Sequence, residues 1–90
     1  MADITLDYEL RVDKDYYIVK GVIGGDGDTI DIPDTYLGKP VGEIVRYAFR
    51  RKTNIKKVVI PNSVTAIGSG AFEGCTSLEI IILPFVGYTN

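Results

Sequence analysis

The stretch of residues 60–84, "IPNSVTAIGSGAFEGCTSLEIIILP", decides the fold, because it opens and closes with an aliphatic residue followed by proline. Shifting the chain by 23 residues places the apolar positions of 41–61 on those of 64–84. A fixed period of this length is typical of solenoids, in which each repeat is one small structural unit. The matched positions are Val41 with Val64, Ile44 with Ile67, Ala48-Phe49 with Ala71-Phe72, Ile55 with Leu78, Val58 with Ile81, and Ile60-Pro61 with Leu83-Pro84.

Each unit contains three local patterns. "KKVVIP" and "EIIILP" are rich in β-branched residues and end in proline, which predicts short strands. "NSVTAIG" is turn-rich and holds two apolar anchors, whereas "SGAFEGCTSL" spaces its apolar residues three or four apart. That spacing predicts a short helical turn or 3₁₀ segment, which Gly74 would end. A stretched unit precedes these two, because "IDIP" at 30–33 matches 58–61 and five extra residues follow it.

The first part of the chain has a different pattern. "ITLDYELRV" alternates apolar and polar residues from Ile4 to Val12, "DKD" follows as a turn, and "YYIVKGVI" forms a second apolar segment. This pattern predicts an antiparallel hairpin that covers the N-terminal end of the stack. We expect a single domain with a hairpin cap at 1–27, repeat units at 28–84 and a tail at 85–90.

Stacked units should share one core, since a single unit has too little apolar surface to fold alone. The predicted fold is therefore α/β: a short solenoid of about two and a half 23-residue units, capped by the hairpin. The predicted core consists of Val41, Ile44, Phe49, Ile55, Val58, Ile60, Val64, Ile67, Phe72, Leu78, Ile81 and Leu83.

The repeat resembles that of the BspA-like leucine-rich repeat proteins, whose signature is I-P-x-S-V-T-x-I-G-x-x-A-F-x-G-C-x-S-L. Residues 29–49, "TIDIPDTYLGKPVGEIVRYAF", are similar to the longer unit that opens such arrays. The resemblance implies that the α/β solenoid is leucine-rich-repeat-like, and that the chain is a bacterial protein-binding module related to adhesion, without catalytic residues. This chain differs in having about two and a half units and no export signal.

Composition excludes several functions. The chain has no histidine, so histidine-based catalysis and histidine-ligated metal sites are excluded, and we expect neither an enzyme nor a cofactor. Its single cysteine, Cys75, cannot form an internal disulfide and is expected to pack as a small hydrophobe. No apolar run is long enough to span a bilayer, and the N-terminus lacks the features of a signal peptide. A cytosolic protein, or a fragment of an exported one, fits these features.

Two other motifs are better explained by turns. Asp26-Gly27-Asp28 carries carboxylates that calcium could use, but the spacing does not match an EF-hand loop. Gly38-Lys39 is followed by Pro40 where a phosphate-binding loop requires Ser or Thr. We therefore predict turns at both places.

Charge is uneven along the chain. Residues 1–34 hold nine acids and three bases, whereas residues 35–60 hold seven bases and one acid. Six of the bases form what we call the basic cluster: Arg46, Arg50, Arg51, Lys52, Lys56 and Lys57. A solvated surface is the simplest interpretation, docking to an acidic protein surface is the next, and nucleic acid ranks last because Tyr47 is the only nearby aromatic residue.

The last strand offers a second candidate site. If Ile81 and Leu83 point into the core, Ile80 and Ile82 face outward beside Val59 of the preceding unit. An exposed apolar edge strand can pair with a partner or with a second copy, unless the tail covers it. The leading prediction is a non-enzymatic protein-interaction module that uses this sheet face, with a homodimer through the edge strand as one form. The alternative is a small intracellular adaptor or inhibitor, of the kind phages encode, that acts through the basic cluster.

Overall fold

The computed structural model describes residues 3–83, and these form eight strands in two sheets. Their order along the chain is β1 (Thr5–Arg11), β2 (Tyr16–Gly24), β3 (Thr29–Asp31), β4 (Thr35–Tyr36), β5 (Lys39–Ile44), β6 (Lys57–Val59), β7 (Ala66–Ile67) and β8 (Ile80–Ile82).

The repeat appears directly in a three-stranded parallel sheet of order β3-β6-β8. Ile30 pairs with Val58, and Val58 pairs with Ile81. The sequence separation between Val58 and Ile81 is the 23-residue period. The separation between Ile30 and Val58 is longer by the five extra residues of the stretched first unit, which we call the entry unit. The solenoid predicted from the sequence is therefore confirmed, with each unit adding one strand to this sheet.

A second sheet was not predicted. β5 pairs in parallel with β2 on one side and with the two-residue strand β7 on the other, so "NSVTAIG" contributes a short strand as well as a turn. Within this sheet Ile44 aligns with Ile67, which are partners in the repeat. Each unit therefore contributes a strand to both sheets, and the core lies between them.

The helical part of the α/β class is absent, because the described residues contain no helix. Residues 45–52 and 68–75 form successive turns, in which Ala48 N–H donates to the Val45 carbonyl and Arg50 N–H donates to the Tyr47 carbonyl. Positive φ angles at Tyr47 and Arg51 interrupt the right-handed conformation that a helix needs. No helix of the described part is thus long and apolar enough to cross a membrane.

At the N-terminus, β1 and β2 form an antiparallel hairpin, and β2 continues into the second sheet beside β5. Val19 is fully buried, and its carbonyl accepts the N–H of Val45. Val12, expected on the buried face, instead lies in the turn after β1 and is exposed. The hairpin covers the side of the first unit that a preceding repeat would otherwise cover.

Half of the predicted core is buried. Val41, Ile44, Phe49, Ile55, Val58 and Ile60 are all nearly inaccessible, together with Ile30, Val19 and Ala71. The prediction was wrong for the matching positions of the last unit: Ile67, Ile81 and Leu83 are exposed, and Val64, Phe72 and Leu78 are only partly buried. The difference arises because no described residue covers the far side of that unit.

Candidate functional site

The outward face of the β3-β6-β8 sheet carries two rows of side chains. Thr29, Lys57 and Ile80 are aligned in one row, and Asp31, Val59 and Ile82 in the other. We call these six residues the sheet face. Its polarity changes across the three strands, from Thr and Asp at β3 to two isoleucines at β8 that are 48% and 44% exposed.

The open edge of β8 leaves backbone groups available. Ile80 N–H donates to the Lys56 carbonyl and the Ile82 carbonyl accepts the N–H of Ile60, so both residues face β6. Alternate residues of a strand direct their backbone groups to opposite edges, so those of Ile81 and Leu83 face away from β6. Within the described residues β8 pairs only with β6, and this edge is a template for another strand. Coverage by the tail at 85–90 lies outside the described residues.

The turns at 45–52 and 68–75 form a second ladder of hydrogen bonds between the two units. The N–H groups of Tyr47, Phe49 and Arg51 donate to the carbonyls of Ser69, Ala71 and Glu73, at 2.7–3.2 Å. The same positions in the last unit are Gly70, Phe72 and Gly74, and their N–H groups make no backbone hydrogen bond in residues 3–83. Within residues 3–83 the last unit therefore presents a row of amide donors beside half-buried apolar side chains.

The structure divides the basic cluster between two surfaces. Lys57 lies in β6 and belongs to the sheet face, whereas Arg46, Arg50 and Arg51 are exposed on the turns. Arg50 is held by two side-chain contacts. Its Nε lies 3.2 Å from Oε2 of Glu73, and its guanidinium lies 5.1 Å from the centre of the Tyr47 ring. The remaining two members lie between these surfaces: Lys52 in the last turn and Lys56 just before β6.

The backbone at Tyr47 and Arg51 is a feature that sequence reasoning missed. Both residues have left-handed φ angles, of 60° and 63°, and the positions 23 residues later are Gly70 and Gly74, at 68° and 75°. An L-residue in this conformation costs about 1–2 kcal/mol relative to the right-handed one, and glycine avoids the cost. The signal was available, because the repeat itself places glycine at both positions of the second unit.

A cavity of about 380 Å³ lies at the other end of the molecule, between β1 and β3, and Tyr8 and Tyr36 line part of it. Their rings stack with centroids 3.8 Å apart, and Tyr17 meets the Tyr36 ring edge-on. Burial raises the pKa of the Tyr8 hydroxyl, and neighbouring Tyr36 adds to the rise. This hydroxyl is therefore a neutral donor at physiological pH, and the aromatic group fastens the β4–β5 hairpin to β1.

The remaining motifs have structural partners. The Cys75 thiol donates to the Phe49 carbonyl at 3.0 Å, and its side chain packs against the core. In the Asp26-Gly27-Asp28 loop, the Asp28 carbonyl accepts the N–H groups of Lys56 and Lys57, and Asn54 donates its side-chain amide to the Gly27 carbonyl. No three acidic or thiol side chains of residues 3–83 are grouped so that they could hold a metal ion.

Comparison with known proteins gives a family and two solved structures. Residues 29–87 match the model of the BspA type leucine-rich repeat region. The crystal structure of a leucine-rich repeat protein from T. pallidum is similar with a TM-score of 0.81 at 37% identity, over 88% of this chain and 36% of that one. A leucine-rich repeat protein from Bacteroides ovatus has a TM-score of 0.72 at 29% identity, over 93% of this chain and 23% of that one. This chain thus spans about a third or less of either protein. No curated protein matches it significantly.

Proposed function

The chain belongs to the BspA-type leucine-rich repeat family, and we propose from this premise that it binds a protein partner through the sheet face and the open edge of β8. Proteins of this family are generally non-enzymatic interaction modules. The observation that carries the proposal is the exposure of Ile80 and Ile82 beside Val59, on a strand whose outer edge is unpaired in the described residues.

An extended strand is the form of partner that fits this edge. A strand added alongside β8 would bond to the free backbone groups of Ile81 and Leu83, while its apolar side chains met Ile80 and Ile82. The bonds to the main chain would supply affinity for any extended segment, and the two isoleucines would select for apolar residues at alternate positions. A second copy of the chain meets both conditions when two β8 strands pair antiparallel, since each offers the same edge.

The test is a pair of charged variants. Ile80→Lys with Ile82→Lys should abolish self-association, measured as the sedimentation coefficient across a hundredfold range of protein concentration, because two ammonium groups would be desolvated at the edge. Ile23→Lys is the matched control, since Ile23 is an exposed isoleucine on β2, away from β8.

Each result has a defined meaning. Concentration-dependent sedimentation in wild type and in the control, with loss in the double variant, supports the second copy as partner. If the wild type sediments as a monomer at every concentration, the homodimer is excluded, and the edge of β8 must bind a strand from a different protein. A double variant that associates like wild type contradicts the edge as the site.

A second candidate function is an adaptor or inhibitor that docks on an acidic protein through the basic cluster. It is favoured by the observation that Arg50 alone of the six cations forms an ion pair within residues 3–83. Binding of this kind should weaken steeply between low and physiological salt, whereas contact through the apolar edge should change little. The charge reversal Arg50→Glu, Arg51→Glu, Lys52→Glu should abolish it, and binding that survives the reversal would contradict it.

A further inference from the structure

At two equivalent positions the two repeat units share a left-handed backbone conformation but carry different residue types. Tyr47 and Arg51 take the left-handed φ that Gly70 and Gly74 take one unit later. Glycine adopts this conformation without steric conflict, whereas tyrosine and arginine do so at a cost in stability. Strained backbone of this kind clusters at functional sites, because side chains can be retained there despite the cost.

The side chains at these two positions do little for the core. Tyr47 is 45% exposed and Arg51 is exposed as well. Both lie across the surface of the next unit: a methyl group at Gly70 would overlap the Tyr47 ring, and one at Gly74 would contact the Arg51 side chain at 3.2 Å. The glycines of the second unit thus make room for the side chains of the first.

Arg50 completes an ordered patch. Its guanidinium lies over the Tyr47 ring, and its contact with Glu73 holds it there. Arg51 makes no ion pair with any residue between 3 and 83, so its guanidinium is available to a ligand. We call Tyr47, Arg50 and Arg51 the turn patch.

Charge and geometry together select the ligand. A planar guanidinium binds a carboxylate through two parallel N–H groups, and Arg46 and Lys52 add positive charge beside the patch. A nucleic-acid base would need a free aromatic face for stacking, yet Arg50 already lies over the Tyr47 ring. A carboxylate-rich protein segment therefore fits the turn patch better than a nucleic acid does.

We propose that the turn patch binds a carboxylate-rich protein segment, and that Tyr47 and Arg51 are retained for this contact at the expense of stability. The proposal rests on the second candidate function, which it extends by adding Tyr47 and by assigning the contact to the turns rather than to Lys56 and Lys57. It predicts that stability and binding respond in opposite directions to the same substitution.

The experiment measures both quantities for Tyr47→Gly and Arg51→Gly. The probe is a fluorescein-labelled peptide of ten glutamates, followed by anisotropy at low and physiological salt, and stability is followed by urea denaturation. We expect each substitution to lower the unfolding equilibrium constant severalfold and to weaken peptide binding about three- to fivefold. Leu37→Gly is the matched control, because Leu37 is an exposed residue with a φ of 51° at the tip of the β4–β5 hairpin. It should gain stability in the same way and bind the peptide like wild type.

The outcomes separate the two proposals. If wild type does not bind the peptide, the second candidate function fails and this inference fails with it. If the charge reversal of Arg50, Arg51 and Lys52 abolishes binding while both glycine variants bind like wild type, only this inference is overturned. Glycine variants that are less stable than wild type would show that the two side chains serve packing, which also overturns it. A single-stranded oligonucleotide that binds more tightly than the peptide would assign the patch to nucleic acid instead.

Discussion

The two full repeat units share their apolar pattern but not their burial. In the first unit Ile44, Phe49 and Val58 are completely inaccessible, whereas in the second Ile67 and Ile81 are exposed and Phe72 is only partly buried. The first unit has the second unit on one side and, on the other, the hairpin beside β5 and the entry strand β3 beside β6, while the second unit has a described neighbour on one side only. Burial in this fold is therefore a property of a position within the stack and not of the residue that occupies it.

The largest expected effect comes from truncating the phenylalanine that each unit places at the same repeat position. Phe49 and Phe72 stack with ring centroids 5.6 Å apart, but only Phe49 is enclosed. Phe49→Ala should lower the free energy of unfolding by about 3–5 kcal/mol, and Phe72→Ala by about 1–2 kcal/mol. Urea denaturation gives both values, and Val58→Ala with Ile81→Ala provides a milder pair if Phe49→Ala does not fold. Equal losses within either pair would mean that the last unit is covered after all.

Adding a neighbour should remove the difference. If residues 84–90 are replaced by a second copy of residues 61–83, the new unit should cover Phe72 and accept hydrogen bonds from the amides of Gly70, Phe72 and Gly74. In the extended chain, Phe72→Ala should lower the free energy of unfolding by about 2 kcal/mol more than it does in the original chain. Urea denaturation measures both values. A scrambled sequence of the same length is the control and should leave the cost unchanged. A folded extension that does not change the cost would contradict the stacking argument.

A smaller effect is expected at the glycines of the second unit. Gly70→Ala should lower the free energy of unfolding by about 2 kcal/mol, because its methyl group overlaps the Tyr47 ring in addition to the left-handed φ. Gly74→Ala should lower the free energy of unfolding by about 1 kcal/mol, because it has the left-handed φ and its methyl group would meet Arg51 Cγ at 3.2 Å, a milder contact than the one at Gly70. Thermal unfolding ranks the two, and Tyr47→Gly should reduce the cost of Gly70→Ala toward that of Gly74→Ala. The reverse ranking would disprove the overlap as the cause.

The smallest effect concerns the ion pair that links the units. Arg50 and Glu73 are about half exposed, so Glu73→Gln should lower the free energy of unfolding by less than about 1 kcal/mol. The loss should shrink further in molar salt, where the Debye length falls to about 3 Å. A loss that is larger, or that persists in high salt, would indicate that Glu73 has a role beyond this pair.

The candidate sites could be predicted only in part. The alternation in "EIIILP" predicted that Ile80 and Ile82 face outward while Ile81 and Leu83 point into the core, yet all four are exposed, because no described residue covers the last unit. The register does align Ile80 with Lys57 and Ile82 with Val59. The basic cluster was treated as one group, but its members lie on different elements: Lys57 is in β6, whereas Arg46, Arg50 and Arg51 are on the turns. Linear distance could not reveal this separation, because the chain passes from the turns to β6 within a few residues.

By itself the sequence determined the period and the strands of the β3-β6-β8 sheet with their alignment, because stacking a 23-residue repeat places equivalent apolar positions beside one another. It did not determine the second sheet, in which β5 pairs with β2 and β7. It did not determine that the "GAFEGC" segment forms turns rather than a helix. In the folded chain the left-handed φ at Gly70 and Gly74 interrupts the right-handed conformation, and the carbonyls of Ser69, Ala71 and Glu73 accept the amides of the preceding unit. Nor did it determine which repeat is buried, since burial requires a neighbour on both sides, and only the assembled stack supplies or withholds one.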